Sequence, residues 1–346
     1  MSELDLGPAP RAPARPPPPA FRDLLRRALR SPGGEALGMH ARGAREFAAA
    51  LWAAGRDPLA IADLLARLGD ALVRRLVALH LAERGPPPVP FAWLALGSAG
   101  RREQPFPGEQ DHALVLDDAA GEGELSWFRA LAERVEEGLG AAGHPPCQGG
   151  IAASRLTRRR ADLCARVREA VDDPSPEGVL EVAVLLDGRR VAGRLGLAQL
   201  RAELLAGAER PRFLRALVRA ALAFPVPAPR RPRRALRVDL KRQALAPLVV
   251  LARCYGLAAR CPAPGTSARL EAARAAGLLG ADLAGPAAGA LGLLLGLRLR
   301  QELGRGPLAA TAAPQALDAA EAQAVLPALR IIRRLQERAA NRFGLE

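Results

Sequence analysis

Two short apolar runs, Phe91–Leu96 and Ala113–Leu116, constrain this chain more than any other feature because of what joins them. The first ends in a tight turn, Gly97-Ser98-Ala99-Gly100, and the second opens after a carboxylate-x-carboxylate pair, Glu109-Gln110-Asp111. On a strand, side chains at i and i+2 share one face about 7 Å apart. That separation lets Glu109 and Asp111 grip one or two divalent cations between them. Mg²⁺ uses few protein carboxylates and completes its shell with water and phosphate oxygens. The Gly97-Ser98 turn beside it offers backbone N–H groups and a hydroxyl to a polyphosphate, although Gly-Ser is also an ordinary strand-to-helix turn.

Composition narrows the alternatives. A chain of 346 residues with 49% apolar residues can bury a sizeable core in two or three domains, but with 3% aromatics that core rests on Leu, Ala and Val. The net charge of +14 invites a nucleic-acid reading. Its source weakens that reading: Lys241 is the sole lysine, every other cation is arginine, and Ala, Gly, Pro and Leu are abundant, as a GC-rich coding bias produces. Base-stacking platforms would need more aromatics, so nucleic acid is not the expected partner. Cys147, Cys164, Cys254 and Cys261 are scattered without a C-x-x-C pair and read as buried or incidental thiols of a reducing cytoplasm. No secretory signal is visible. The longest apolar run, Leu283–Leu297, is shorter than the roughly 20 residues a bilayer requires and is expected to be a core helix of a soluble, cytoplasmic protein.

Along the chain, residues 1–20 form a Pro/Ala/Arg tail with nothing to bury, expected to be disordered or polyproline-like. A helical segment covers 21–86, with Asp57 as N-cap, Pro58 at N1 and Leu59, Ala62, Leu65, Leu68, Leu72, Leu76 and Leu79 forming an amphipathic stripe. Residues 87–200 alternate strand-like and helix-like pieces: strands at 91–97 and 112–118, helices at 122–142 and 155–170, and a strand at 179–189 that would carry Asp187 at its end. Residues 201–346 are helical wherever the pattern is strong (195–208, 210–223, 238–257, 266–278, 281–303 and 314–341), with a Pro/Arg loop at 225–237.

The string GSAGRREQ, with a spacer of ten residues between Gly97-Ser98 and the acidic pair, resembles the signature of the DNA polymerase beta nucleotidyltransferase superfamily. Within it the chain looks like the branch related to bacterial PII-protein uridylyltransferases (GlnD-type), often fused to CBS and cyclic-nucleotide-binding domains. Further blocks at 143–154, 185–193, 238–257, 266–270 and 297–301 extend the resemblance over most of residues 60–340. The family usually has Asp where this chain has Glu109, whose extra methylene moves the carboxylate by about 1.5 Å, and catalysis feels errors of about 1 Å.

The resemblance implies an α+β fold: a small mixed-sheet nucleotidyltransferase domain flanked by an N-terminal helical segment and a C-terminal helical substrate-binding bundle. It implies a nucleoside triphosphate (UTP or ATP) as donor, Mg²⁺ or Mn²⁺ as cofactor held by Glu109 and Asp111, and an acceptor hydroxyl on a PII-type protein. Asp187 would act as general base or third metal ligand, while Gly97, Ser98, Gly100, Arg101 and Lys241 would contact the nucleotide. Glu103 would buttress the loop, Gln104 and Gln110 would orient its backbone, and Asp239, Arg253, Thr266, Arg269 and Arg298 would form bundle salt bridges or cleft contacts. His112 would point to the face opposite the acids, and His40, His80 and His144 form no constellation. Two other functions fit the same residues: a nucleotide-sensing module that lost catalysis, and nucleotidyl transfer to RNA or a small molecule.

Overall fold

The computed structural model describes residues 18–33, 35–104, 108–147, 149–228, 236–304 and 316–345. The expected tail lies outside the described residues up to residue 17, as does most of the expected Pro/Arg loop, at 229–235. The class is α+β, with a small four-stranded mixed sheet and helices at both ends of the chain. Two compact units are present, one made chiefly of residues 1–163 and 188–198, the other chiefly of residues 164–187 and 199–301 with 310–346.

The first unit opens with α1 (Pro19–Arg30), α2 (Glu35–Ala53) and α3 (Pro58–Arg84). The Asp57 carboxylate accepts a hydrogen bond from the amide of Ala60, capping α3, and Gly85, at φ +89°, ends it. Strand β1 (Phe91–Ala95) leads into a single turn of helix, α4 (Gly97–Arg101), and β2 (His112–Leu116) returns antiparallel to β1. Helix α5 (Glu122–Ala141) follows, its start fixed by Glu124, which accepts from the amide of Gly121. Short strand β3 (Thr157–Arg159) pairs parallel with β2, and β4 (Arg189–Gly193) pairs antiparallel with β1, giving the order β3-β2-β1-β4.

The alternation of side chains sorts the sheet into two faces. Phe91, Trp93 and Ala95 of β1 and Leu114 and Leu116 of β2 pack with Leu72, Leu76 and Val77 of α3 and Phe128, Leu131 and Val135 of α5. The odd positions of β2, in line with Asp111, face the other way. Each fully buried Leu or Phe in this layer contributes about 1.5–3 kcal/mol of transfer free energy.

Two stretches between residues 87 and 200 differ from the sequence expectation. The helix expected from 155 starts only at α6 (Arg160–Asp172), because Thr157–Arg159 are taken by the open edge of β2, whose backbone groups need partners. The strand expected over 179–189 is helix α7 (Pro176–Leu185). Ser175 caps α7 by accepting from the amide of Gly178, and Pro176 sits at N1. This cap signal overrides the β-branched content of the Val179–Leu185 stretch. The strand is the next segment, β4.

The second unit is helical: α7, α8 (Ala198–Ala206), α9 (Pro211–Leu222), α10 (Ala246–Ala258), α11 (Thr266–Ala275), most of α12 (Ala281–Gly304) and α13 (Ala319–Phe343). A π-helical turn, Leu240–Leu245, precedes α10, where Pro247 lacks the N–H that would bond one turn back. Asp239 starts that turn by accepting from the amide of Arg242. The run Leu283–Leu297 lies within α12, whose 24 residues are long and apolar enough to cross a membrane by length and composition, contrary to the length argument above. Of its most apolar window, 56% is buried inside the protein, and Leu291, Leu294 and Leu295 are core residues.

His40 on α2 is buried, and neither ring nitrogen has a protein hydrogen-bond partner among the described residues. Burial, reinforced by nearby His144, holds its pKa down to about 4, against about 6.5 for a free imidazole. The folded protein therefore binds this proton less readily than the unfolded chain. The associated stability is complete above pH 6.5 and is lost as pH falls toward 4. Urea unfolding at pH 7.5 and pH 4.5 should show that His40→Met removes about 2 kcal/mol of the acid-induced loss.

Candidate active site

The site is assembled where β1 ends and β2 begins. The amide of Leu96 donates to the carbonyl of Asp111 (2.8 Å), so the turn after β1 and the residue before β2 are directly linked. Gly97 has φ +52°, and a Cβ placed there would lie 2.4 Å from Oδ2 of Asp111. Only glycine satisfies both the left-handed backbone and the approach of the carboxylate.

A second set of bonds fixes the acidic pair from the other side. The amide of Gln110 donates to the carbonyl of Pro145 (3.0 Å), and Gln110 forms a parallel bridge with Pro146. Its side-chain amide donates to the carbonyls of His144 (2.7 Å) and Glu136 (3.1 Å). Gln104 donates to the carbonyl of Glu109 (2.9 Å), and Nδ1–H of His144 donates to that of Gly108 (3.2 Å). Both glutamines thus orient the loop backbone. With Gln110 opposite Pro146, the residues flanking them share a face, and this brings Cys147 to the acids. One ligand atom each from Glu109, Asp111 and Cys147 lies within 4.8 Å of the others, all three side chains being partly exposed. Burial first, and the hydrogen bond and charge of Asp111 next, push the Cys147 thiol up to about 11.

The turn at Gly97 is held from behind. Arg189, the first residue of β4, donates to the carbonyls of Ala99 (3.0 Å) and Gly100 (3.2 Å) while both Nη atoms pair with Asp70 of α3 (2.7 and 2.8 Å). Arg102, at φ +59°, closes α4 and pairs with Asp63 (3.0 Å). Arg101 donates through Nε to Glu103 (2.8 Å), and both are largely buried, so Glu103 does buttress the loop.

The expected residues have different surroundings. Gly97 meets Asp111, which clusters with Glu109, and Ser98 is the next residue of α4; Gly100 lies buried in α4 with its carbonyl bonded to Arg189, and Arg101 bonds Glu103 through Nε. Asp187 requires correction. It lies in the turn after α7, not at a strand end, and its side chain is fully buried. Arg253 bonds its Oδ2 (2.6 Å) and Arg269 its Oδ1 (2.7 Å), which leaves a carboxylate locked in an ion triad rather than one poised to take a proton. Lys241 is exposed on the π-helical turn of the second unit. His112 is buried against Trp93, on the face opposite the acids, and burial holds its pKa down to about 3.

Cys147 and Arg189 were not among the expected site residues. The sequence signal for Arg189 is the run Asp187-Gly188-Arg189, in which the base, not the acid, reaches the Gly97 turn. For Cys147 the signal was the extended Pro145-Pro146 step, whose pairing with Gln110 is a tertiary fact.

Two family profiles match the chain: "Putative nucleotidyltransferase DUF294" over residues 42–177 and "Putative nucleotidyltransferase substrate binding domain" over residues 211–343. The chain carries both domains of this nucleotidyltransferase family. The first match contains the Gly97 turn, the acidic pair and Cys147; the second contains Lys241, Arg253 and Arg269; Asp187 and Arg189 fall between them. No curated protein matches the chain. As a nucleotidyltransferase with a substrate-binding domain, it uses a nucleotide substrate.

Two substitutions test this geometry. Gly97→Ala should displace Asp111 and weaken Mn²⁺-nucleotide binding at least about tenfold by calorimetry while the circular dichroism spectrum is retained. Asp187→Ala leaves two buried guanidinium groups without their carboxylate and should lower the unfolding free energy by about 3–5 kcal/mol in urea titration.

Proposed function

We propose that this chain transfers a nucleoside monophosphate from UTP or ATP to an acceptor hydroxyl, releasing pyrophosphate, and that the acceptor is a protein of PII type. The observation that supports the reading is the contact between Gly97 and Asp111, which places a glycine turn against one of two clustered carboxylates. The donor set suits a hard divalent cation, since Mg²⁺ is bound by one or two carboxylates together with substrate phosphates. When bound there, Mg²⁺ or Mn²⁺ would neutralise the triphosphate and favour in-line displacement at the α-phosphorus.

The residues themselves do three things in this proposal. Glu109 and Asp111 hold the cation. The Gly97-Ser98 turn receives phosphate oxygens on its amides and hydroxyl. Arg189 and Asp70 keep that turn from moving as charge develops, because preorganised groups need no rearrangement during reaction. The acceptor oxygen forms its bond to the α-phosphorus as the bridging oxygen leaves with pyrophosphate, and the acceptor proton passes to solvent. Asp187, held by its two arginines, takes no part.

Purified protein incubated with Mg²⁺ and α-³²P-labelled UTP or ATP should label a PII-type acceptor. Asp111→Asn should reduce the rate at least about 100-fold, the scale on which loss of charge and positioning at such a site is felt. Equal labelling by the variant would remove Asp111 from the chemistry and sink the assignment.

A further inference from the structure

The acidic pair is not a purely oxygen site. The Sγ of Cys147 lies within 4.8 Å of a carboxylate oxygen of Glu109 and of Asp111, so sulfur is directed at the acids and not away from them. The parallel bridge between Gln110 and Pro146 sets this register, and the side chain of Gln110 anchors the same loop through the carbonyl of His144. Among the described residues, Glu109, Asp111 and Cys147 are the one group of three metal-ligating side chains whose ligand atoms lie within 4.8 Å of one another. Around a tetrahedral cation with bonds of about 2.0–2.3 Å, such atoms lie roughly 3.5 Å apart. The three ligand atoms need to close by at most about 1.3 Å, and all three side chains are partly exposed.

We propose that Cys147 makes this a mixed oxygen–sulfur site that takes thiophilic divalent cations, zinc above all, in competition with the hard cation of nucleotidyl transfer. The inference rests on the reading of Glu109 and Asp111 as metal ligands. Its chemistry follows from ligand softness: carboxylates alone suit Mg²⁺ and Mn²⁺, whereas a thiolate adds affinity for Zn²⁺, Co²⁺ and Cd²⁺. On binding, the S–H proton leaves to solvent, a metal–sulfur bond forms, and no oxidation state changes. Three protein ligands with a fourth position open would hold zinc where the triphosphate-bearing cation must sit. Zinc is then an inhibitor of the transfer, and Cys147 is the residue that confers the sensitivity.

Cobalt(II) alone, added to the full chain without nucleotide, reports directly on sulfur ligation through thiolate-to-cobalt charge-transfer absorption in the near ultraviolet. The expected result is a band that saturates at one equivalent, disappears in Cys147→Ser and persists in Cys261→Ser, which removes the other partly exposed thiol. In calorimetric titration, which needs no cobalt band, zinc should lose affinity at least about tenfold in Cys147→Ser, and Mg²⁺ should lose less. Cobalt binding seen by calorimetry without the band, or a band that survives Cys147→Ser, overturns the sulfur ligand while leaving the carboxylate site standing. No cobalt binding overturns both this inference and the metal assignment of Glu109 and Asp111.

Discussion

The approach of the Asp111 carboxylate to the bare Cα of Gly97 is the constraint on which the rest of the site depends. It requires a residue without a side chain at a positive φ, directly after Leu96, whose amide is already bonded to the carbonyl of Asp111. It also requires that the turn keep its place against the acid. Arg189 meets that need from behind, placing one guanidinium between two α4 carbonyls and the Asp70 carboxylate. Asp70 is buried within α3, a helix fixed by its leucine stripe and its Asp57 cap. Core packing, a buried ion pair and a glycine turn thus act in series.

Where the sequence carried local physics, the fold was legible. The cap at Asp57 and the apolar stripe gave α3 within a residue of its observed bounds, and the two apolar runs gave β1 and β2. Where the outcome depended on tertiary pairing, local pattern misled. Thr157–Arg159 are strand only because β2 has an open edge, and residues with high β-propensity after Ser175 are helix because a capped N-terminus set their period. The misplacement of Asp187 followed from that error. A strand-terminal acid faces a site, whereas an acid after a helix falls where Arg253 and Arg269 can enclose it.

The two clusters of buried charge illustrate different uses of arginine in a chain that has almost no lysine. At Asp70 the guanidinium of Arg189 is bidentate on the acid and still has two further N–H groups, on Nε and Nη2, for the carbonyls of Gly100 and Ala99, which an ammonium could not match in geometry. At Asp187 two guanidinium groups share one carboxylate, and Arg269 also bonds the carbonyls of Leu186 and Ala263. The second arrangement ties the turn after α7 to α10 and α11, so its role lies in holding the helical unit together. In both, planar donors satisfy several buried acceptors at once, which is what allows charged groups to sit inside the core.

The placement of the acidic pair and Cys147 is governed as much by α5 as by the strands beside them. Gln110 stands between Glu109 and Asp111, and its side chain bonds the Glu136 carbonyl of α5 and the His144 carbonyl just beyond it. Glu136 in turn accepts from both the amide and the hydroxyl of Ser154, closing the loop that carries Cys147. Because α5 is fixed to the sheet by Phe128, Leu131 and Val135, the energy of that apolar layer sets the distance between sulfur and carboxylate. Glutamate in place of aspartate at position 109 is compatible with this arrangement. Its backbone carbonyl is pinned by Gln104, and its carboxylate lies with Asp111 and Cys147 within 4.8 Å, so the extra methylene does not take it out of the cluster.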